Sequence, residues 1–197
     1  ILNRVTKQAN GATTRELSLL IGSWDQYRAT LDVGQKLNDW AAFRVTGLYE
    51  DAESYRDGFS LQRYGLNPTF ALVLAPRTTL KVGYEHFYDE RVADRGVSSF
   101  QGRPLKVDPS TFFGDPAQSP VWARVNTVFA TLDHRFENGL TIRNNTRFGG
   151  YRKFYQNVFP GAVAASGATA PISAYNQGTQ RDNLFNQTDA VLPLETG

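Results

Sequence analysis

The sequence predicts an all-β chain: an antiparallel up-and-down meander whose strands form an open sheet, part of a transmembrane β-barrel. Three observations lead there. Apolar and polar residues alternate with a period of two along most of the chain. Many of the alternating segments reach ten residues or more. The connections between them sort by parity, short at one end of the meander and long at the other.

The alternation is clearest from residue 27 to 34. Tyr27, Ala29, Leu31 and Val33 share one face; Arg28, Thr30, Asp32 and Gly34 share the other. Leu80, Val82 and Tyr84 alternate with Lys81, Gly83 and Glu85. Leu140, Ile142 and Phe148 alternate with Thr141, Arg143, Asn145 and Arg147. Near the start, Leu17, Leu19 and Ile21 oppose Glu16, Ser18 and Gly22, with Leu20 breaking the polar face. Eight strands are expected, at about 14–24, 27–37, 40–51, 61–74, 79–90, 122–136, 139–152 and 183–193. Strands in soluble sheets usually hold roughly five or six residues, whereas a tilted membrane-spanning strand needs about 9–11. No segment carries a capped 3.6-residue pattern, so almost no helix is expected.

The connections add a second, independent signal. Asn38-Asp39, Ala75-Pro76-Arg77-Thr78 and Glu137-Asn138-Gly139 are tight turns rich in the residues that turn geometry favours. The alternate connections are long, at about 52–60, 91–121 and 153–182; only the link near Trp24-Asp25-Gln26 is short. Short turns at one end and long loops at the other are the pattern of outer-membrane barrels. A soluble sandwich has no reason to sort its loops this way.

Composition narrows the function classes. With no Cys in 197 residues there is no disulfide, thiolate metal site or cysteine nucleophile. The absence of Met, position 1 included, leads to the expectation of a segment from a longer or processed product. A formal net charge of +2 gives no argument for nucleic acid. The mean hydropathy of −0.41 and the lack of any apolar stretch of roughly 18 residues exclude membrane-spanning helices. They leave barrels open, because only every second barrel residue meets lipid. Arg28, Asp32, Arg44, Glu50, Lys81, Glu85, Arg143 and Arg147 fall mid-strand on the polar face. In a sandwich these would face solvent; in a barrel they would line a wet or plugged lumen. Alternation alone does not separate the two, and strand length and loop parity favour the barrel.

Short motifs then become specific. Ile1-Leu2-Asn3-Arg4-Val5-Thr6-Lys7-Gln8 resembles the end of the plug domain of TonB-dependent siderophore receptors. Arg15-Glu16-Leu17 through Gly22-Ser23-Trp24-Asp25-Gln26-Tyr27-Arg28 is similar to the first barrel hairpin of that family. Leu31-Asp32-Val33-Gly34, Leu37-Asn38-Asp39 and Phe43-Arg44-Val45-Thr46-Gly47-Leu48-Tyr49-Glu50 resemble the next strands and turn. Ser99-Phe100-Gln101-Gly102-Arg103-Pro104 and Phe112-Phe113-Gly114-Asp115-Pro116 resemble the third external loop of the catecholate type. Phe154-Tyr155-Gln156-Asn157-Val158 and Arg181-Asp182-Asn183-Leu184-Phe185-Asn186-Gln187-Thr188-Asp189 resemble the fourth loop region and eighth strand. The resemblance covers essentially the whole chain. Gln35-Lys36 departs from the family's usual Gly-Pro.

The resemblance implies a 22-stranded barrel with an N-terminal plug in its lumen. Residues 1–12 would be the end of the plug and its linker, and 13–197 a partial barrel of about eight strands. It implies a receptor of the cell outer membrane that binds a ferric siderophore, of catecholate type, and imports it in a TonB-dependent manner. It implies no enzyme, no catalytic residue, no resident cofactor or metal site, and no nucleic-acid partner. Partners would be the ferric siderophore, outer-membrane lipid, and TonB through the N-terminal part that this chain lacks.

The long loops carry arginines and aromatic residues together. Arginine offers charge and fixed donors, and rings offer stacking and cation–π faces, a set suited to a bulky anionic chelate. Arg91, Arg95, Phe100, Arg103 and Tyr155 are the first candidates for ligand contact. The competing reading is that such residues pin loops together or ring the membrane boundary. His86 and His134 lie inside expected strands and read as packing residues, and Asp89, Glu90 and Asp94 as solvated charge. Haem, cobalamin or a glycan as ligand, a soluble all-β binding module and a passive porin-like barrel stand as alternatives.

Overall fold

The computed structural model describes residues 6–194; Ile1-Leu2-Asn3-Arg4-Val5, the start of the plug-like motif, lie outside the described residues. Eight long strands are present: β1 (Thr14–Gly22), β2 (Gln26–Asn38), β3 (Ala41–Glu53), β4 (Ser60–Ala75), β5 (Thr78–Val92), β8 (Pro120–Arg135), β9 (Thr141–Pro160) and β10 (Ile172–Val191). Two-residue strands β6 (Ser99–Phe100) and β7 (Arg103–Pro104) make a small hairpin inside the longest loop. The long strands form one antiparallel sheet in the order β1-β2-β3-β4-β5-β8-β9-β10, with β1 and β10 as its edges. The expected meander and open sheet are therefore found. Among the described residues the helical content is one 3-10 turn, Pro116–Gln118.

Two expectations need correction. The seventh strand, β9, runs to Pro160 instead of ending near 152, and the eighth, β10, begins at Ile172 instead of 183. The loop between them shrinks to 161–171. The added stretches pair residue for residue, from Tyr151 opposite Arg181 to Pro160 opposite Ile172. They carry polar residues on both faces, so alternation does not reveal them. The β6–β7 hairpin was also not expected; it is too short for any periodic signal.

The short turns form for local reasons. The Asn38 side chain accepts the Trp40 N–H at 3.0 Å and Asn138 accepts the Leu140 N–H at 3.1 Å, closing Asx turns. At the other end Trp24 and Asp25 both take positive φ, 56° and 50°, the backbone sign that a tight hairpin turn demands. Pro68 sits within β4, where a missing N–H interrupts the ladder to β5 between Leu66 and Thr69.

Burial decides which face is which. Asp32 is 4% exposed and Glu50 and Glu85 are 6%, whereas Leu19 is 72%, Ile21 80% and Leu184 71%. Among the described residues the buried apolar side chains are only Ala9, Ala41 and Ala42. A soluble domain has the opposite arrangement. A continuous exposed apolar face of this size belongs against apolar surroundings, with the polar face turned to a lumen.

Ion pairs organise the polar face. Arg28, Glu50, Arg63 and Asp89 stand directly opposite one another across β2, β3, β4 and β5, alternating in sign. Consecutive pairs lie at 3.1, 3.5 and 3.4 Å. Nearer the short turns, Asp32 takes two bonds from the Arg44 fork, both 2.8 Å, and a third from Lys7 at 2.7 Å. Lys7 belongs to the segment before β1, which lies along the polar face: the Ala9 N–H reaches Thr69 Oγ1 at 2.9 Å, and Asn67 Nδ2 donates to the Lys7 carbonyl at 3.3 Å.

Candidate functional site

The long loops converge at one end of the sheet and are bound to one another. Arg56, in the loop after β3, is 8% exposed. Its Nε pairs with Asp94 at 3.0 Å, and its Nη1 donates to the carbonyls of Pro109 and Thr111 at 2.6 and 2.8 Å. The Asp57 N–H reaches the Ser110 carbonyl at 2.8 Å, tightening the same seam. Asp108 accepts the Ser110 N–H, which holds its carboxyl below the usual carboxylate range. The loop after β3 thus clasps the loop after β5 through the Arg56 guanidinium, with Asp57 and Ser110 bonded beside it.

The far end of that loop docks on the extension of β9. Asn157, fully buried, donates to the Ala93 carbonyl at 2.8 Å. The Ser119 hydroxyl donates to the Asp115 carbonyl at 2.7 Å and accepts the Val158 N–H at 3.0 Å. Gly114 has φ +123°, and a Cβ there would collide with the Val158 carbonyl. Only glycine permits that approach. The β6–β7 hairpin leans the other way, with the Val163 N–H bonded to the Ser99 carbonyl at 3.0 Å.

Arg95 and Tyr155 come together. The Arg95 guanidinium lies 4.2 Å from the Phe159 ring centre and 5.3 Å from that of Tyr175, and its Nη2 donates to the Tyr175 hydroxyl at 2.9 Å. Tyr155 and Tyr175 rings lie 5.3 Å apart. Tyr155 first, then Tyr175, holds the guanidinium proton more tightly than usual. The cation is oriented by aromatic faces yet remains exposed at the loop end. Such a group can meet an anionic ligand with donors already aimed and one flat ring beside it.

No family model matches the sequence. The metal-pseudopaline receptor CntO of Pseudomonas aeruginosa (strain UCBPP-PA14) is 31% identical over 199 residues, covering 100% of this chain and 28% of that protein. The catecholate siderophore receptor Fiu of Escherichia coli (strain K12) is 28% identical over 223 residues, covering 100% of this chain and 29% of its own length. The open-form crystal structure of the ferric-catecholate import receptor Fiu from E. coli K12 superposes with a TM-score of 0.85 at 24% identity, over 97% of this chain and 33% of that one. The siderophore receptor PiuA of Acinetobacter baumannii gives 0.87 at 20% identity, over 98% and 29%. This chain belongs to the TonB-dependent siderophore-receptor family. It spans under a third of the curated relatives it matches.

The other candidate residues of this receptor segment have different surroundings. Arg91 joins the lumenal charge row, its Nε 3.4 Å from Asp89. Asp89 is therefore a buried wall residue, and Asp94 the partner of Arg56, rather than solvated loop charge. Phe100 and Arg103 face each other across the small hairpin. The Phe100 ring packs beside Gly167 of the 161–171 loop, 3.5 Å from where a Cβ would stand, so it joins two loops. Arg103 is exposed. The structure thus brings Arg95 and Tyr155 to one point and leaves the other three apart from it. Sequence reasoning missed Phe159 and Tyr175 as members of this group. Extending β9 and β10 would have placed both beside Tyr155. His86 stacks on Tyr64 at 5.8 Å and His134 packs on Phe136 at 4.3 Å, as expected of packing residues.

Proposed function

We propose that the receptor containing this chain captures a ferric siderophore at its loop end and imports it across the outer membrane in a TonB-dependent manner. The observation that carries this is Arg95, a cation of the clasped loop set against Tyr155, Phe159 and Tyr175 on the lumenal face of the β9–β10 extension. A catecholate chelate, anionic and aromatic, matches both halves of that chemistry. Residues 1–12 serve as the end of the plug and its link to the barrel, and 13–197 as barrel wall. TonB acts through the plug, and the relatives' names, all receptors or a transporter, agree with transport without covalent chemistry.

A second reading has its own support. The metal-pseudopaline receptor matches over the whole chain at 31% identity, so a different metal chelate is the rival ligand. Equilibrium binding to the full-length receptor separates the two. A ferric catecholate is expected to bind, and Arg95→Gln to weaken it roughly 10- to 100-fold, as loss of a charged hydrogen bond worth about 1.5–3 kcal/mol requires. Wild-type binding of metal–pseudopaline with no binding of the catecholate would reverse the order. Unchanged affinity for either chelate in Arg95→Gln would remove this site.

Membrane placement has a separate test. Leu31 faces outward and is 42% exposed. Leu31→Arg, one row inside the edge of the apolar band, is expected to cost about 1–2 kcal/mol, between the interface and midplane costs of an arginine on the lipid face, and to lower the yield of folded receptor in the outer-membrane fraction. Arg28→Leu, on the opposite face, should be milder. Equal yields of the two variants would contradict the assignment of faces.

A further inference from the structure

The outward face carries one row of residues in register across all eight long strands: Leu19, Ala29, Tyr49, Tyr64, Tyr88, Arg124, Arg152 and Gln180. On β5, β8 and β9 it lies about ten residues from the short-turn end, or about 25 Å for strands tilted near 40°. That is about the height of a barrel's apolar band, so on these three strands the row meets its upper boundary. Tyr88 suits that level. The arginines are unexpected. Arg124 and Arg152 stand directly opposite each other on neighbouring strands, a like-charge arrangement that destabilises a sheet by itself.

Among the described residues neither arginine makes an ion pair. Arg124 lies over the Tyr88 ring at 5.5 Å. The acidic groups of this face are otherwise placed: Glu90 accepts the Tyr88 hydroxyl at 2.6 Å, and Asp182 leans over Gly150 one row below. Two rows below the arginines, Val128, Phe148 and Leu184 form an exposed apolar strip. We propose that Arg124 and Arg152 form a clamp for the phosphate of an anionic lipid headgroup in the outward leaflet, its acyl chains lying on Val128, Phe148 and Leu184. Two guanidinium forks converging on one phosphate relieve their mutual repulsion. An exposed cation pair at the edge of an apolar band is matched by a lipid, which brings anion and chain together. The inference rests on the membrane placement above and is independent of the siderophore.

The test uses full-length receptor in detergent, titrated with bisphosphorylated lipid A, with fully dephosphorylated lipid A, and with inorganic phosphate, following the shift in thermal unfolding. Wild type should bind the phosphorylated lipid, and Arg124→Gln/Arg152→Gln should bind it roughly 10- to 30-fold more weakly. Arg124→Lys/Arg152→Lys should keep most of the affinity. If the double glutamine variant does not assemble, each single glutamine variant should still lose affinity several-fold. Equal affinity in the glutamine variants overturns the clamp, as does equal binding of the dephosphorylated lipid. The same shift with inorganic phosphate alone would make the pair an adventitious anion site and overturn it too. A wild-type receptor missing from the membrane fraction would instead overturn the placement on which the clamp rests.

Discussion

Replacing Arg56 by alanine is expected to detach the 93–119 loop and to impair ligand capture while the barrel still assembles. The side chain is nearly buried and makes three charge-assisted contacts, to Asp94 and to the carbonyls of Pro109 and Thr111. Its removal leaves a carboxylate and two carbonyls short of partners. Breaking a buried pair of this kind costs about 3–5 kcal/mol, here charged to the loop, because no residue of the sheet ladder is touched. Hydrogen exchange and limited proteolysis of the full-length receptor should show protection lost at 93–119 and retained in the strands. Arg56→Lys keeps the charge but not the fork and should fall between. Unchanged protection in Arg56→Ala would mean that Asp57, Asn157, Ser119 and Gly114 hold the loop without it.

Asp32→Asn is expected to weaken the wall itself. Asp32 neutralises Arg44 and Lys7 from a buried position. The amide keeps the shape and loses the charge, leaving two cations facing each other, at a cost of about 3 kcal/mol. The urea midpoint of the assembled receptor should fall. Adding Arg44→Gln should return part of the loss, since the two residues share one interaction. A strictly additive double variant would show that Asp32 and Arg44 are not coupled.

Much of this architecture was legible in the sequence because barrel walls obey a strict rule. Tyr27 to Gly34 alternates so cleanly that strand, faces and register follow from it. The upper half of β9 and β10 was not legible. There, residues such as Lys153, Gln156, Gln177 and Thr179 are polar on both faces, because that stretch rises beyond the apolar band and no longer needs one greasy side. The same gap hid half of the candidate site. Arg95 and Tyr155 could be named from residue type, but their meeting depends on Asn157 standing opposite Tyr175, a long-range register. Arg56 is, by sequence, one more loop arginine; nothing local distinguishes a buried clasp from an exposed ligand contact. Phe100 shows the converse, an aromatic residue whose type suited capture and whose position serves packing.

The row Arg28, Glu50, Arg63 and Asp89 has an effect beyond holding four strands in register. Positive and negative charges repeat at the strand spacing, about 4.8 Å. A field built this way behaves as a high-order multipole and dies away over roughly that spacing, well inside the Debye length of about 8 Å at physiological ionic strength. Away from Arg91 at its loop-side edge, an anion a few ångströms from this band meets surface that is electrically almost blank. Arg95, unopposed by any acid among the described residues, projects a monopole instead. The chain therefore sets one long-range charge beside a wall whose field cancels at short range.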